Sequence, residues 1–316
     1  MKLKHPAEIN ILFDDGGLGD NVARLPVLKY IYENYPDMKV NAFVHDYFVP
    51  VMKNFLEDKL DRITVYHWSV AKKYYNQALP TKSLRQAAFS NLSMQMTEHA
   101  FAVVCNTLPS AKDLNYPILN LEQTDISKFD LPDNYIVITT AFTAAVREFL
   151  PVHVNKIVAE LKSKGENIVF LGASSTQTGM SHVIEGKLSE EVDFSQGLNL
   201  IDKTTLLEAT KILGNAKCVV GLDNGLLHLA ACTEVPVVSG FTSVNPEHRM
   251  AYRKNVKGWN WFNAIPEDLA CKFCQSKCVF TGGQDFRICQ LGTYNCIKDL
   301  TAEIYLEQIY KALEGK

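Results

Sequence analysis

The chain has 316 residues, long enough for two domains with separate cores, and its 47% hydrophobic and 21% charged residues describe an ordinary soluble globular protein. A net charge of -3 gives duplex nucleic acid no electrostatic footprint, and no run nears the roughly 18 consecutive apolar residues of a membrane span. The opening MKLKHPAEIN lacks a signal peptide's apolar core, so the expected place is the cytosol, where eight cysteines are thiols or metal ligands rather than a disulfide scaffold.

Ile9 to Phe13 is a short apolar strand that breaks at Asp14-Asp15-Gly16-Gly17-Leu18-Gly19-Asp20, and an amphipathic segment from Asn21 to Tyr35 continues from it. Gly16, Gly17 and Gly19 let the backbone turn tightly and approach a bound ligand, but GGxGD is not the GxGxxG of a dinucleotide-binding oxidoreductase. Asp20 is a candidate general base, because a carboxylate at a glycine-rich turn facing a cleft can take the proton of an attacking hydroxyl; it is also a candidate helix cap. Pro26 falls either in the first turn of the main helix after an irregular lead or at a kink.

Val40 to Val44 and Ile63 to Tyr66 read as strands, with a helix from Tyr47 to Leu56 between them. Residues 68 to 100 include Trp68, Lys72, Lys73, Tyr74, Tyr75 and Arg85, a mixture that can line an acceptor site or form plain amphipathic helix faces. Thr97 to Cys105 reads as helix. From Asn106 to Pro132 the chain is rich in Pro, Asn, Asp and Ser, which marks a link between domains, with a short strand expected at Tyr116 to Leu121. The expected partition is 1–130 and 131–300.

Tyr135 to Thr139 starts a second sheet. The turn after it carries Thr140 and Arg147, and hydroxyls with one guanidinium at a strand's carboxyl end suit a diphosphate; a surface pair with Glu148 or another carboxylate is the plainer role for Arg147. A helix from Val152 to Lys164 ends at Gly165, and the strand Asn167 to Leu171 leads to Gly172-Ala173-Ser174-Ser175, a turn that can hold a ribose or base. After a helix from Thr204 to Leu213, the unalternating run Cys218 to Leu222 reads as a buried parallel strand, broken by Asp223-Asn224-Gly225. A short helix from Leu226 to Cys232 and a strand from Val235 to Ser239 follow. This alternation of β and α gives two doubly wound α/β domains, and ligands sit at the carboxyl ends of such strands. There the amides of Gly225, Leu226 and Leu227 lack a partner one turn earlier, so a phosphate fits, flanked by Asp223 and His228. The plainer alternative makes Asp223 or Asn224 an N-cap and His228 a buried helix residue. Beyond Gly240, His248, Arg249 and Arg253 can neutralise a negatively charged ligand or lie on the surface.

Cys271, Cys274, Cys278, Cys289 and Cys296 put five thiols within 26 residues. A CxxC followed by two more cysteines suits a tetrahedral structural zinc; the chosen ligands are Cys271, Cys274, Cys289 and Cys296, with Cys278 spare, and reduced unligated thiols are the alternative. The intervening FTGGQDFRI has little core of its own, where a metal would help. No histidine or base is paired with the cluster in the sequence, so a catalytic role is not expected. Thr301 to Leu313 reads as a final amphipathic helix with Thr301 as N-cap.

Two stretches carry a family resemblance. GLGDNVARLPVLKYIYENYPDMKV has a Gly-Asp pair, then Leu-Pro, then a helix ending before a strand; LDNGLLHLAACTEVPVV has an Asp, a small polar residue, Gly-Leu, His and a small-residue helix before a Val-Pro strand. Both resemble the signatures of glycosyltransferase family 9, the heptosyltransferase-like enzymes, with Asn224 standing where many members carry Ser or Thr. The segment from Thr139 to Pro151 resembles a third family region, and some members carry a similar cysteine-rich insert. The resemblance covers residues 11–40, 138–151 and 198–253. It implies a GT-B fold, two Rossmann-like domains facing across a cleft, with the last helix crossing back to the first domain. It implies Asp20 as the base and metal-independent, inverting transfer from a nucleotide-sugar donor, ADP-heptose in the best-known members. The acceptor would be a hydroxyl of a glycan or a lipid-linked, lipopolysaccharide-type molecule, with peripheral membrane contact. Two other classes share these features: a glycosyltransferase modifying nucleic acid, which needs a basic groove, and a non-catalytic sugar-nucleotide-binding module.

Overall fold

The computed structural model describes residues 6–13, 17–70, 79–84, 95–107, 109–142, 144–174, 191–277 and 287–315. Gly16, Lys72, Lys73, Tyr74, Tyr75, Arg85, Ser175 and Cys278, all singled out above, lie outside them. Strands β1 (Glu8–Leu12), β2 (Lys39–Val44), β3 (Ile63–His67) and β4 (Thr81–Ser83) form a first, parallel sheet in the order β3-β2-β1-β4. The first two are buried along nearly their whole length, as parallel strands covered on both faces are, and the one buried polar residue in each is satisfied across the pair, Asn41 Nδ2 donating to Asn10 Oδ1 at 3.1 Å.

Helix α1 (Leu18–Asn34) begins three residues earlier than its sequence pattern suggests, because the Asp20 carboxylate reaches back to accept the Gly17 N–H at 2.8 Å and closes the first turn. Pro26 is therefore neither at the start nor beyond an irregular lead; it sits inside the helix. Helices α2 (Val49–Phe55) and α3 (Met96–Cys105) complete the described helices of this half. No strand forms at 116–121. Tyr116 and Leu119 instead donate singly to the carbonyls of Tyr252 and Cys232, tying the linker to the second half one bond at a time.

The second sheet is larger. It comprises β5 (Tyr135–Thr139), β6 (Asn167–Leu171), β7 (Leu198–Asn199), β8 (Val219–Leu222), β9 (Val237–Gly240) and, after a small hairpin of β10 (Tyr252–Arg253) and β11 (Val256–Lys257), β12 (Trp261–Ala264). Its order is β12-β9-β8-β5-β6-β7, all parallel. Helices α4 (Pro151–Ser163), α5 (Leu206–Gly214) and α6 (Gly225–Ala230) alternate with its strands. One core cluster runs from the first sheet through α1 and α6 to the second, so the two halves share apolar packing.

The final helix, α7 (Ala302–Glu314), does not return to the first half as the resemblance implied. Its Tyr305, Ile309 and Ala312 are buried with Ile138, Val220 and Val238 of the second sheet. The Tyr305 hydroxyl donates to the Gly221 carbonyl at 3.3 Å, and Glu303 pairs with Lys156 of α4. Gly240 makes room for this seat, since a Cβ there would overlap the Tyr305 hydroxyl. Among the described residues no helix is long and apolar enough to cross a membrane.

Candidate active site where the two glycine turns meet

The glycine turn that opens α1 and the one that opens α6 dock directly on each other. A Cβ added at Gly19 would stand 2.6 Å from Cδ2 of His228, and one added at Gly225 would stand 2.6 Å from Cβ of Leu18. Gly19 was expected to let a ligand approach the main chain, and Gly225 to offer its amide to a phosphate. The space they leave is instead filled by a side chain from the facing half, so they serve the docking of the halves. Gly17 has a third use: its N–H holds Asp20.

Charge collects around this junction. Asp223, at the carboxyl end of β8, is buried, with Arg147 Nη1 and Arg249 Nε each 3.5 Å from its Oδ2 and His228 Nε2 3.6 Å from its Oδ1. Burial alone would raise its carboxyl, but Arg249, the His228 hydrogen bond and Arg147 outweigh it and hold the group well below the usual carboxylate range. Asp223 is thus an anion, fixed among cations. On the far side Arg249 Nη1 lies 3.8 Å from Oδ1 of Asp20, so the base candidate of the first half and the buried anion of the second are spanned by one guanidinium.

His228 is held from behind by a residue that the sequence reading missed. The Tyr116 hydroxyl lies 3.0 Å from His228 Nδ1, and burial pushes that phenol well above its ordinary value, so it stays a donor. On the other edge of the ring Nε2 faces the Asp223 carboxylate, which can only accept, so a ring proton is wanted there and Nδ1 is left to meet the Tyr116 hydroxyl. The two residues are 112 apart in sequence, so no local pattern could have paired them. Tyr47 was missed in the same way: it accepts a hydrogen bond from Asn21, beside Asp20, at 2.9 Å, and burial raises its phenol to about 12.

The other predicted site residues divide. Asn224 caps α6: its Oδ1 accepts the N–H groups of Leu226 and Leu227 at 3.0 and 3.3 Å, so those amides, expected to hold a phosphate, already have a partner. Thr139 anchors the cap by accepting from Asn224 Nδ2 at 3.0 Å, while the Thr140 hydroxyl beside it is buried with no hydrogen-bond partner among the described residues. Arg147 points at Asp223 and not at Glu148 in a surface pair. Arg253 leaves the candidates. Its guanidinium is buried against the carbonyls of Thr233, Val235, Trp259 and Asn260, which occupy Nε and both terminal nitrogens. His248 sits in a one-turn helix, with Nδ1 3.2 Å from the Ser276 hydroxyl.

The cysteines form a separate neighbourhood. Burial first, then the charges of Cys271, Cys274 and Cys289, raise the Cys296 thiol to about 11, so the four chosen thiols lie within electrostatic reach of one another. Around Cys289, burial is outweighed by the main-chain N–H groups of Tyr294, Leu291 and Thr293, which lower its thiol and favour the thiolate that metals bind. Among the described residues no three His, Cys, Asp or Glu side chains stand at metal-holding spacing, so the thiols share a region without closing on one point.

Two parallel α/β halves meeting turn to turn over a charged cleft define a GT-B architecture, the fold of the solved heptosyltransferases that this chain resembles. The model of glycosyltransferase family 9 (heptosyltransferase) matches residues 76–271, and the chain belongs to that family. Among solved structures, the iron-containing dodecameric glycosyltransferase TibC of enterotoxigenic E. coli H10407 superposes with a TM-score of 0.71 at 15% identity, over 100% of this chain and 78% of that one. TibC has also been solved as a heptosyltransferase in complex with ADP-D-beta-D-heptose. E. coli ADP-heptose LPS heptosyltransferase II gives 0.63 at 15% identity, over 98% and 99% of the two chains. In sequence, lipooligosaccharide heptosyltransferase 2 of Haemophilus influenzae is 29% identical over 97 residues, a stretch covering 30% of this chain and 27% of that relative.

Proposed function

We propose that this protein transfers a heptose from ADP-heptose to a hydroxyl of a glycan or lipid-linked glycan, by a single inverting displacement. Asp20 takes the proton of the acceptor hydroxyl as its oxygen attacks the anomeric carbon. The bond from that carbon to the diphosphate breaks, its electron pair goes to the diphosphate oxygen, and ADP leaves. Arg147 and the Thr140 hydroxyl meet the charge that grows on the leaving group; preorganised donors of this kind are often the largest single contribution to catalysis. Because a guanidinium supplies that charge, the transfer is proposed to run without a catalytic metal and to survive EDTA. The setting would be the cytosol, with peripheral contact to a membrane that carries the acceptor.

One observation carries this reading: Asp20 of one half and Asp223 of the other face the same guanidinium, at 3.8 and 3.5 Å. The family membership and the ADP-heptose complex of TibC support the choice of donor. A thermal-shift panel of ADP-, GDP- and UDP-sugars tests it. Stabilisation by ADP-heptose above the others is expected, and a flat panel would contradict the assignment.

The cysteines add a structural part to the proposal. Cys271, Cys274, Cys289 and Cys296 would hold one tetrahedral ion that fastens the 271–296 segment to the second half. Zinc is the expected ion; TibC is described as iron-containing, so both metals are to be measured. Elemental analysis should find about one equivalent per chain, lost in Cys274→Ser. Metal-free purified protein with unchanged stability would refute it.

A further inference from the structure

Tyr116 is 3% exposed and sits on the linker, yet the main chain there is tied to the second half: the Tyr116 N–H donates to the Tyr252 carbonyl at 2.8 Å, and the Leu119 N–H to the Cys232 carbonyl, just past α6, at 3.1 Å. That anchorage sets the phenol on the His228 ring, hydroxyl to Nδ1 at 3.0 Å, with the two rings stacked at 6.0 Å. An imidazole turned over about its Cβ–Cγ bond exchanges Nδ1 with Cδ2 and Nε2 with Cε1 and hardly changes shape. Packing therefore does not choose between the two settings; Gly19, where a Cβ would stand 2.6 Å from Cδ2, leaves room for a ring nitrogen as well as for a carbon. The Tyr116 hydroxyl does choose. Turned over, the ring would offer it carbon, and Asp223 would lose the Nε2 that stands 3.6 Å from its Oδ1. The Thr97 hydroxyl of α3 lies beside the same phenol, but it can give its own proton to the phenol oxygen and so does not need the one directed at Nδ1. With Nε2 on Oδ1 of Asp223, Oδ2 is left to Arg147 and Arg249, each 3.5 Å away.

We propose that Tyr116 is a positioning residue for the donor site. Its hydroxyl donates to Nδ1, selects one setting and one tautomer of His228, and so fixes the Asp223 carboxylate that aims Arg147 at a diphosphate. It acts through two side chains and not on the ligand. This rests on the reading that a diphosphate enters beside Arg147, but not on which sugar or base it carries.

Nitrogen NMR spectra of the histidine rings test it, with the His228 signals assigned by their loss in His228→Gln. Recorded at about pH 8, above the ordinary histidine range, the wild-type spectrum should show the His228 proton on Nε2 and an unprotonated Nδ1. A proton on Nδ1 overturns the proposal, and this measurement needs no folded variant of Tyr116. Tyr116→Phe keeps the ring and loses only the hydroxyl. It should bring the Nδ1–H form into the spectrum and, in calorimetric titration, weaken inorganic pyrophosphate and ADP by about fivefold. In an Asp223→Asn background the same change should leave pyrophosphate affinity unaltered. Loss of packing alone would weaken the probes equally in both backgrounds and leave the tautomer as it was, and either result overturns the proposal. So does a Tyr116→Phe protein with unchanged affinity. A wild type that binds neither probe would overturn the donor reading and this inference with it; a wild type that binds both while its His228 proton sits on Nδ1 would overturn the inference alone.

Discussion

Asp223→Asn removes the anion on which Arg147, Arg249 and His228 converge, and its cost can be worked from the geometry. At 3.5 Å and an effective dielectric of about 20, each guanidinium contributes about 5 kcal/mol of attraction, much of it offset by the desolvation of the groups involved. Breaking a buried pair from one side costs about 3–5 kcal/mol, because the partner charges stay buried without compensation. The pH dependence has a definite sign. The Asp223 carboxyl is held below its unfolded value, so its contribution is complete above about pH 4 and is lost as the pH falls toward the folded value. Urea unfolding of wild type and variant between about pH 3.5 and pH 8 should show a gap that is constant at neutral pH and narrows in acid. A variant within about 1 kcal/mol of wild type at neutral pH would refute the account of a fixed anion.

Three further outcomes are expected. Arg147→Ala should weaken ADP-sugar binding about tenfold or more, measured by titration, and an unchanged affinity would take Arg147 out of the donor site. Gly19→Ala should press a methyl onto the His228 ring and cost about 1–3 kcal/mol, with a lowered melting temperature and, in small-angle scattering, looser docking of the halves; an unchanged melting temperature would show that the turns are not packed as described. EDTA should leave turnover of ADP-heptose intact, and its loss would place a metal in the reaction.

Much of the architecture was legible because its signals are local. Tyr135–Thr139 and Asn167–Leu171 are built on the apolar runs 135–138 and 168–171, and the strand-turn-helix around Asp223 has its punctuation in Asn224 and Gly225. What escaped is decided at long range. Arg249 and Arg253 look alike in sequence, yet the hairpin of β10 and β11 folds Arg253 into a ring of carbonyls and leaves Arg249 between two carboxylates. The period of α7 says that one face is buried but not against which sheet. The glycines at 19 and 225 announce close approach without saying by what, and protein side chains fill the space. Tyr116, on a linker with no periodicity, carries no signal that it will orient His228.

Release of ADP from ADP-heptose by wild type and Asp20→Asn, followed in the presence of candidate glycan acceptors, tests the central claim most directly. The account predicts turnover by wild type and its loss in the variant, with donor binding retained or tightened. Equal ADP release by both proteins, or none by wild type that binds the donor, would contradict it.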